Sequence, residues 1–369
     1  MQSHKSKTTE FLFSYTVYLT GTSSIWKKYS VYYISKISQF VYEGGKLTMN
    51  LLVTGGAGFI GSNFVYYMLQ NHPGYKIINL DLLTYAENVG NLDVVMDNPN
   101  HTFIQGNITN KELVRQLVTE HDITHFVNFA AESHVDRSIL NPEVFVETNI
   151  QGTLALLNVA KEMNIKKYIQ ISTDEVYGSL GAAGYFTEET SLAPNSPYSA
   201  SKAGADLLVQ SYYETYGLNT NITRCSNNYG PYQFPEKLIP LMITNGMTGK
   251  ELPIYGDGLN IRDWLHVHDH CQAIDLVLHK GRRGEVYNIG GHNERTNNQI
   301  VDIIVNQLGL SRELIKYVDD RLGHDKRYAI DPTKIETELG WKPKYTFETG
   351  INETIEWYQN HEEWWRPLK

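Results

Sequence analysis

A glycine-rich turn between an apolar strand and a helical segment constrains the fold of this chain most. Residues 54–61 read Thr-Gly-Gly-Ala-Gly-Phe-Ile-Gly and follow an apolar strand pattern at residues 50–54. Glycines in such a turn let a pyrophosphate approach the N-terminus of the next helix. Asp81 ends a second apolar strand about 20 residues later, where a carboxylate can accept a hydrogen bond from a ribose 2′-hydroxyl. This spacing predicts a dinucleotide site that favours NAD over NADP.

Strand and helix patterns then alternate along the chain. They predict strands at residues 50–54, 76–80, 102–105, 125–130, 168–172 and 221–224, and helices at residues 59–71, 111–120, 142–164 and 198–216. This alternation predicts an α/β fold, a Rossmann-type doubly wound parallel sheet. The alternation weakens past about residue 230. We therefore expect an NAD-binding domain at residues 49–230 and a smaller C-terminal substrate-binding domain, mainly residues 231–369, interleaved with the first.

Residues 1–48 differ in composition from the rest of the chain. They carry six lysines and two acidic residues, and they contain no Ala, Pro, Asp, Asn, Arg or Cys. A signal peptide and a genuine accessory segment are two interpretations. We favour a third, translated upstream DNA with the native start at Met49, because residues 43–45 can be encoded by a sequence that resembles a ribosome-binding site.

Charge and cysteine content exclude several classes of protein. The formal net charge is −9, which argues against a general role in binding nucleic acids or membrane surfaces. The two cysteines, Cys225 and Cys271, form neither a disulfide framework nor a thiolate metal motif, which fits a cytoplasmic protein. No apolar run approaches the ~18–20 residues of a membrane span.

The segment Ser-Thr-Asp-Glu-Val-Tyr-Gly at residues 172–178 directly follows a predicted buried strand. It puts the Thr173 hydroxyl and the adjacent carboxylates of Asp174 and Glu175 at the C-terminal end of a strand, where open α/β sheets bind ligands. An adjacent Asp-Glu pair in a loop is more often solvated, but this position favours an acid and a base that together eliminate water.

Tyr198 and Lys202 are spaced by four residues, on one face of a predicted helix. A phenol has an ordinary pKa of about 10, and a neighbouring ammonium group stabilises its phenolate. Tyr198 can then take a proton from a substrate hydroxyl while hydride leaves the same carbon. The simpler alternative is a helix with a buried Tyr and an exposed Lys.

The chain from Met49 onward resembles the extended short-chain dehydrogenase/reductase superfamily, and within it the nucleotide-sugar 4,6-dehydratases. The motifs that carry the resemblance include TGGAGFIGSNF, NFAAESHVDRSI, ISTDEVYG, PYSASKAGAD, SNNYGPYQFPEKLIP and IRDWLHVHDH. The resemblance implies that NAD oxidises C4 of dTDP-glucose, that water is lost across C5 and C6, and that C6 is then reduced. The product is a 4-keto-6-deoxy sugar nucleotide, which commonly leads to rhamnose and other sugars of cell-surface polysaccharides.

The resemblance also implies roles for individual residues. Tyr198 is the base, Lys202 lowers its pKa and holds the nicotinamide ribose, Thr173 binds the 4-oxygen, Glu175 removes the C5 proton and Asp174 protonates the leaving hydroxyl. The implied cofactor-binding residues are Gly55, Gly58, Phe59, Ile60, Gly61, Asp81, Thr84, Asn107, Ile108, Ala130, Ala131, Ser133, Thr148, Tyr198, Lys202 and Asn228. The implied substrate-binding residues are Ser133, Thr173, Asn227, Lys237, Leu238, Pro253, Ile254, Tyr255, Arg262, Asn297, Arg321 and His324.

The chain departs from the family pattern at four places. Leu82 replaces the usual Lys of the family, Glu87 replaces a Gly, Asn107 replaces an Asp that contacts adenine, and Leu322 replaces a Pro. These changes touch the cofactor edge and one loop, and they leave the preference for a nucleotide base open.

Some alternatives remain open. An epimerase or decarboxylase of the same superfamily is one, which Asp174 and Glu175 oppose, and a non-catalytic NAD-binding protein is another, which an intact Tyr198 and Lys202 oppose. His266, His268 and His270 suggest a metal site, but we expect no metal. Family resemblance further implies a homodimer through the helices at residues 142–164 and 198–216.

Overall fold

The computed structural model describes residues 49–84, 88–320 and 323–369. The strands are β1 Asn50–Thr54, β2 Lys76–Asp81, β3 His101–Gln105, β4 His125–Asn128, β5 Lys167–Thr173, β6 Thr220–Cys225, β7 Asn227–Tyr229, β8 Leu252–Tyr255, β9 Ile261–His266, β10 Val286–Ile289, β11 Glu294–Thr296 and β12 Ile315–Val318. The α-helices are α1 Phe59–Asn71, α2 Lys111–Glu120, α3 Val135–Leu140, α4 Glu143–Phe145, α5 Thr153–Glu162, α6 Pro197–Tyr216, α7 Leu238–Met247, α8 Val267–Lys280, α9 Asn297–Leu308, α10 Thr333–Leu339, α11 Phe347–Asn360 and α12 Glu362–Trp365.

Seven parallel strands form the central sheet, in the order β10-β6-β5-β4-β1-β2-β3. The strand order reverses between β1 and β4, and open α/β sheets bind ligands at such a switch point, beyond the carboxyl ends of the strands. The predicted doubly wound parallel sheet is therefore confirmed. Its six predicted strands are all present, with ends that differ by one or two residues.

The two faces of the sheet are covered by separate apolar clusters. One face packs against α1, α8 and α10, with Phe64 and Ile274 among its fully buried side chains. The other packs against α2, α5 and α6, with Leu117 and Leu156 in its centre. Because both faces are buried, the strands read as continuous apolar runs in the sequence.

Two features of the sheet and its helices were not predicted. Strand β10 lies far along the chain, yet it pairs with β6 and completes the sheet. The predicted helix at residues 142–164 is interrupted by a π-helical segment, Val146–Gly152, which places Asn149 towards Glu132 and Ser201. A π-helical turn is a short insertion within a longer helix, so the apolar pattern that predicts the whole helix does not locate it.

The remaining strands and helices of the C-terminal part form a smaller layer. Strands β11, β9 and β7 make one sheet and β12 and β8 another. Helices α7, α9 and α11 pack over them around a core that includes Trp264 and Phe347. The domain boundary near residue 230 stays a prediction. Among the helices of the described residues, none has both the length and the apolar character needed to span a bilayer.

Candidate active site

The glycine-rich turn packs so closely against neighbouring backbone that two of its positions have no room for a side chain. Gly55 has φ +71°, and a Cβ there would lie 2.5 Å from the backbone nitrogen of Ala130. A Cβ on Gly61 would lie 2.2 Å from the carbonyl oxygen of Gly55. Gly58 caps α1 without a side chain. The first-turn N–H groups of α1 therefore point towards space that a pyrophosphate can enter.

Asp81 lies at the C-terminal end of β2 and is 2% exposed. Its Oδ2 accepts a hydrogen bond from the Ala57 backbone N–H at 2.8 Å, and its Oδ1 accepts one from the Leu83 N–H at 2.9 Å. The carboxylate thus holds the glycine-rich turn as well as facing a cavity. This structural role is compatible with the predicted role of Asp81 as an acceptor for a ribose hydroxyl.

Two adjoining cavities lie beyond the carboxyl ends of the strands. The larger has a volume of about 280 Å³ and the smaller about 30 Å³, and both are lined by Gly55, Thr84 and Ala131. The smaller is also lined by predicted cofactor residues, namely Asp81, Asn107, Ile108, Ala130 and Thr148. The larger is lined by Gly58, Phe59, Ile60, Gly61, Ser133, Tyr198, Lys202 and Asn228 from the same prediction. The glycine-rich turn, the Asp81 carboxylate and the two cavities together fit a dinucleotide that extends across the switch point of the sheet.

Thr173 ends β5 and caps the short 3₁₀ helix Asp174–Tyr177. Its Oγ1 accepts a hydrogen bond from the Glu175 N–H at 3.2 Å and lies 3.2 Å from Asp174 Oδ1. Because of this sharp turn after a buried strand, the side chains of Asp174 and Glu175 lie in different surroundings. Glu175 lines the larger cavity, whereas Asp174 lies beneath it and is 2% exposed.

The surroundings of Asp174 favour its protonated form. Burial raises the pKa of Asp174 well above its ordinary value, and the negative charges of Glu175 and Asp263 raise it further. Arg262 and the Thr173 hydroxyl oppose the shift. A carboxyl group that keeps its proton near neutrality is suited to act as a general acid.

Tyr198 and Lys202 lie on α6, which begins with a capping box between Ser196 and Ser199 and has Pro197 in its first turn. Lys202 is 4% exposed, and its Nζ donates a hydrogen bond to the Ile171 carbonyl oxygen at 2.6 Å. Both side chains line the larger cavity beside Thr173 and Glu175. The structure therefore brings together four of the five predicted catalytic residues on one cavity wall, with Asp174 behind them.

The charge state of the Tyr198–Lys202 pair is set by burial. Burial raises the pKa of Tyr198 well above its ordinary value, and Glu175, Cys225 and Asp174 add to this, while a hydrogen bond with Thr173 lowers it. Burial also lowers the pKa of Lys202. A phenolate at this position therefore needs positive charge close by, from the ammonium group and from a cationic ligand.

The predicted substrate-binding residues divide into two groups. Ser133, Thr173, Asn227 and Lys237 line the larger cavity. A second group does not line it: Leu238 begins α7, Pro253, Ile254 and Tyr255 lie on β8, Arg262 on β9 and Asn297 at the start of α9, with His324 in a loop. Arg321 lies outside the described residues, as do the departures at Glu87 and Leu322.

Arg262 points into the protein. Its guanidinium group donates hydrogen bonds to the carbonyl oxygens of Ile261 and Asp325, both at 2.8 Å, and it lies 4.2 Å from the centre of the Tyr328 ring. Arg262 is 6% exposed. Its positive charge also acts on Asp174. The sequence predicted that Arg262 contacts a phosphate. The structure adds that its positive charge lowers the pKa of Asp174, against the larger effect of burial.

Several side chains of the larger cavity were not predicted. They are Phe129, Ile171, Ser172, Cys225, Ser226, Gln233 and Phe234. Cys225 is the last residue of β6 and Ser226 follows it, so the rule that ligands bind beyond the ends of parallel strands could have found them. Phe234 carries no comparable signal, because it comes from a loop.

The three alternating histidines do not converge on one point. The ring of His266 stacks on Tyr345 with centroids 3.8 Å apart, and Nδ1 of His270 lies 2.9 Å from Oδ1 of Asn228. His266 thus packs within the C-terminal part, and His270 supports Asn228 in the wall of the larger cavity.

A different group in the described residues has ligand atoms close enough together for a metal ion. His72, Asp275 and His279 have such atoms within 4.8 Å of one another, outside the two cavities. The two imidazoles each lie 2.9 Å from the Asp275 carboxylate. The Asp275 carboxylate thus joins the C-cap residue of α1 to the last turn of α8.

The fold and site together define an enzyme of the extended short-chain dehydrogenase/reductase class, with two adjacent carboxyl groups beside the Tyr-Lys pair. A family model described as GDP-mannose 4,6 dehydratase matches residues 52–354. The dTDP-glucose 4,6-dehydratase of Xanthomonas campestris pv. campestris is 52% identical over 331 residues, covering 85% of this chain and 94% of that protein. On these grounds the chain belongs to the dTDP-glucose 4,6-dehydratase family.

Solved structures agree with this membership. The dTDP-glucose 4,6-dehydratase of Bacillus anthracis, in complex with NAD, has a TM-score of 0.83 and 58% identity, and the match covers 87% of this chain and 100% of that one. DesIV of Streptomyces venezuelae, a dTDP-glucose 4,6-dehydratase with NAD bound, has a TM-score of 0.85 and 50% identity, with the same coverage.

Proposed function

We propose that this protein removes water from dTDP-glucose to give dTDP-4-keto-6-deoxyglucose, with NAD retained through the reaction. One observation carries the proposal: Asp174 and Glu175 stand at the end of β5 beside Tyr198 and Lys202. Oxidation of a hydroxyl needs one base, whereas elimination of water needs an acid and a base in addition. The carboxyl pair therefore favours a dehydratase over an epimerase on the same fold.

The cofactor would lie across the two cavities. When bound, NAD accepts hydride from C4 of the sugar and returns it to C6, so the reaction has no net redox change. The turn at Gly55 to Gly61 would hold the pyrophosphate, and Asp81 the adenosine ribose. Tyr198 and Lys202 would face the nicotinamide end, since they line the larger cavity.

In the first step Tyr198 accepts the proton of the 4-hydroxyl group. The pKa of Tyr198 is raised by burial and by Glu175, so the base form depends on the Lys202 ammonium group and the positive charge of the oxidised cofactor. Thr173, which shares a hydrogen bond with Tyr198, would bind the 4-oxygen. Lys202 would also hold the nicotinamide ribose.

In the second step Glu175 removes the C5 proton, which the new 4-ketone acidifies. Asp174 gives its proton to the 6-hydroxyl group, and the C6–O bond breaks as water leaves. Glu175 then returns a proton to C5 as C6 is reduced. At the end Tyr198 holds one proton more and Asp174 one fewer, and a single proton transfer through solvent resets the pair.

The nucleotide end of the substrate would lie towards the C-terminal layer. Asn227 and Lys237 line the larger cavity, and Leu238 continues from Lys237 into α7. Tyr255 at the end of β8 is 43% exposed and packs edge-on against His324 at 6.4 Å. We place the nucleotide base near these side chains, and assign Arg262, Asn297 and Arg321 to the diphosphate and sugar.

The protein would work in the cytoplasm as a homodimer and supply deoxysugars, such as rhamnose, for surface polysaccharides. Cys225 and Cys271 are free and buried, as expected in a reducing compartment. Leu154 on α5 and Leu207 on α6 are 36% and 56% exposed. These helices pack against each other, so their outer faces could form an apolar contact with a second copy.

The test is to incubate the purified protein with dTDP-glucose and no added NAD. We expect a product with the alkaline absorbance of a 4-keto sugar and a mass lower by one water. Glu175→Gln should form product much more slowly than the unchanged protein. Glu189→Gln, a change at an exposed loop position, should form product at the rate of the unchanged protein. Absence of product, even with added NAD and with UDP-, CDP- and GDP-sugars, would refute the proposal.

A further inference from the structure

Helix α6 carries a third ionisable side chain in line with the catalytic pair. Tyr198, Lys202 and Asp206 follow one another at intervals of four residues, which places them on one face of the helix. All three are buried, and Asp206 is 0% exposed. The reaction described above gives Asp206 no part, so its buried carboxylate needs a reason.

Asp206 is held from the side by an arginine. Nε of Arg224, on β6, donates a hydrogen bond to Oδ2 of Asp206 at 2.9 Å, and Arg224 is 2% exposed. Oδ1 of Asp206 is buried and accepts no hydrogen bond within the described part of the chain. Burying an ion pair costs free energy because both charges lose their hydration. Removing one partner destabilises the protein further because it leaves the other charge buried and uncompensated. One oxygen of this carboxylate is thus left to act on its surroundings.

The arginine connects α6 to the turn that bears the acidic pair. Nη1 of Arg224 donates a hydrogen bond to the Tyr177 hydroxyl oxygen at 3.0 Å, and the Tyr177 hydroxyl donates in turn to Oδ1 of Asn288 at 2.8 Å. Tyr177 ends the same 3₁₀ helix that begins with Asp174. Asp206 and Arg224 therefore connect α6, which carries Tyr198 and Lys202, to the short helix that begins with Asp174.

We propose that Asp206 is a positioning residue that keeps Lys202 charged beneath the active-site cavity, and that Arg224 holds the Asp206 side chain in place. The inference rests on the proposed function for its catalytic meaning. An ammonium group that is 4% exposed and bonded to one carbonyl oxygen loses most of its hydration. A carboxylate one helical turn away compensates for that loss.

The electrostatic directions agree with this geometry. Burial lowers the pKa of Lys202, and Asp206 is the foremost group that raises it again, followed by Cys225 on β6. Asp206 also raises the pKa of the Tyr168 hydroxyl group on β5, in the same direction as burial, which has the larger effect.

The test is a direct titration of Lys202 by NMR, in protein labelled with ¹³C at the lysine ε-carbons. The Lys202 signal is assigned by its loss in Lys202→Met. We expect the pKa of Lys202 to fall by about one unit or more in Asp206→Asn. Tyr177→Phe is the matched control, because it removes a neighbouring hydroxyl of the same network and keeps both charges. It should leave the pKa within a few tenths of a unit.

Asp206→Asn leaves Arg224 buried without its partner and risks misfolding. The double variant Asp206→Asn, Arg224→Gln removes both charges and gives a second measurement of the same quantity. We expect the same fall in the pKa of Lys202. If Lys202 titrates in either folded variant as it does in the unchanged protein, Asp206 has only a structural role and the proposal is overturned.

A kinetic measurement also separates an electrostatic role of Asp206 from a purely structural one. The two roles predict shifts of the pH profile in opposite directions. Single-turnover reduction of bound NAD by dTDP-glucose is followed against pH. If Asp206 keeps Lys202 charged, Asp206→Asn raises the pKa of the Tyr198 base and moves the acid limb to higher pH. If Lys202 stays charged without Asp206, removal of a negative charge moves the limb to lower pH. An unchanged protein that does not oxidise dTDP-glucose refutes the proposed function alone, because the NMR titration still decides the role of Asp206.

Discussion

At the scale of single residues, burial gives two adjacent carboxyl groups different surroundings. Asp174 and Glu175 are neighbours in sequence, but the turn capped by Thr173 buries the first and leaves the second on the cavity wall. The pKa of Asp174 is raised by burial and by the charges of Glu175 and Asp263. These different surroundings support the proposal that Asp174 acts as the acid and Glu175 as the base.

This division of roles predicts that oxidation and elimination can be separated by substitution. In Asp174→Asn the base Tyr198 is intact, so dTDP-glucose should reduce bound NAD, and NADH should accumulate at 340 nm. Overall turnover should fall about 10²- to 10⁴-fold, the usual contribution of a general acid. Tyr198→Phe should lose the NADH signal itself. Equal loss of NADH formation in both variants would contradict the assignment of Asp174 to elimination.

At the scale of secondary-structure elements, the contact between α1 and the turn before it has no room for a side chain. A Cβ on Gly61 would lie 2.2 Å from the Gly55 carbonyl oxygen and 2.8 Å from the Gly56 Cα. Both neighbours are backbone atoms that cannot rotate away. The turn and the first residues of α1 would have to separate, which would open the cradle for the pyrophosphate.

We therefore predict that Gly61→Ala destabilises the protein by about 1–3 kcal/mol, as expected for overpacking, and lowers its bound NAD. The control is Gly74→Ala, since a Cβ on Gly74 meets no atom within 4 Å. That change should stay within about 0.5 kcal/mol. Denaturant unfolding and the NAD content of the purified proteins measure both effects. Full NAD content in Gly61→Ala would show that the cradle tolerates a side chain.

At the scale of the whole molecule, buried histidines link stability to pH. Burial lowers the pKa of His270 and of His266 to about 3, and that of His125 to about 4. In the unfolded chain these groups titrate near pH 6.5, so below that value the unfolded state binds more protons. Their contribution to stability is complete above about pH 6.5 and is lost as the pH falls towards the folded pKa values.

We expect His270→Asn to reduce the dependence of the unfolding free energy on pH. Below about pH 6 each such histidine contributes a slope of about 1.4 kcal/mol per pH unit. The variant should therefore show a slope smaller by roughly that amount between pH 6 and 4.5. His292→Asn is the control, because His292 is exposed and its backbone at φ +51° suits asparagine. Parallel slopes for His270→Asn and the unchanged protein would contradict the prediction.

The proposed homodimer gives a second prediction at this scale. Sedimentation velocity should report twice the mass of the chain, and Leu207→Glu on α6 should shift the protein towards the monomer because it puts a charge into an apolar contact. Leu259→Glu is a matched change at an equally exposed leucine, 60% against 56%, that lies in the segment between β8 and β9. It should leave the mass unchanged. A monomeric unchanged protein would refute the dimer.

The sequence alone determined the parallel sheet, the dinucleotide turn and the catalytic segments, because each of these signals lies within a short stretch of chain. Gly55 to Gly61 and Asp81 share one strand-helix-strand unit, residues 173–175 follow one strand, and Tyr198 and Lys202 share one helix. Local spacing is sufficient where chemistry belongs to a single element or its end.

Only the tertiary structure decided how these segments act on one another. Strand β10 joins the sheet through pairing with β6 more than 60 residues away, which no local pattern encodes. The burial of Asp174, the inward direction of Arg262 and the contact between Asp206 and Arg224 all depend on residues from different elements. Protonation and orientation follow from the surrounding atoms, and packing between distant segments of the chain brings those atoms together.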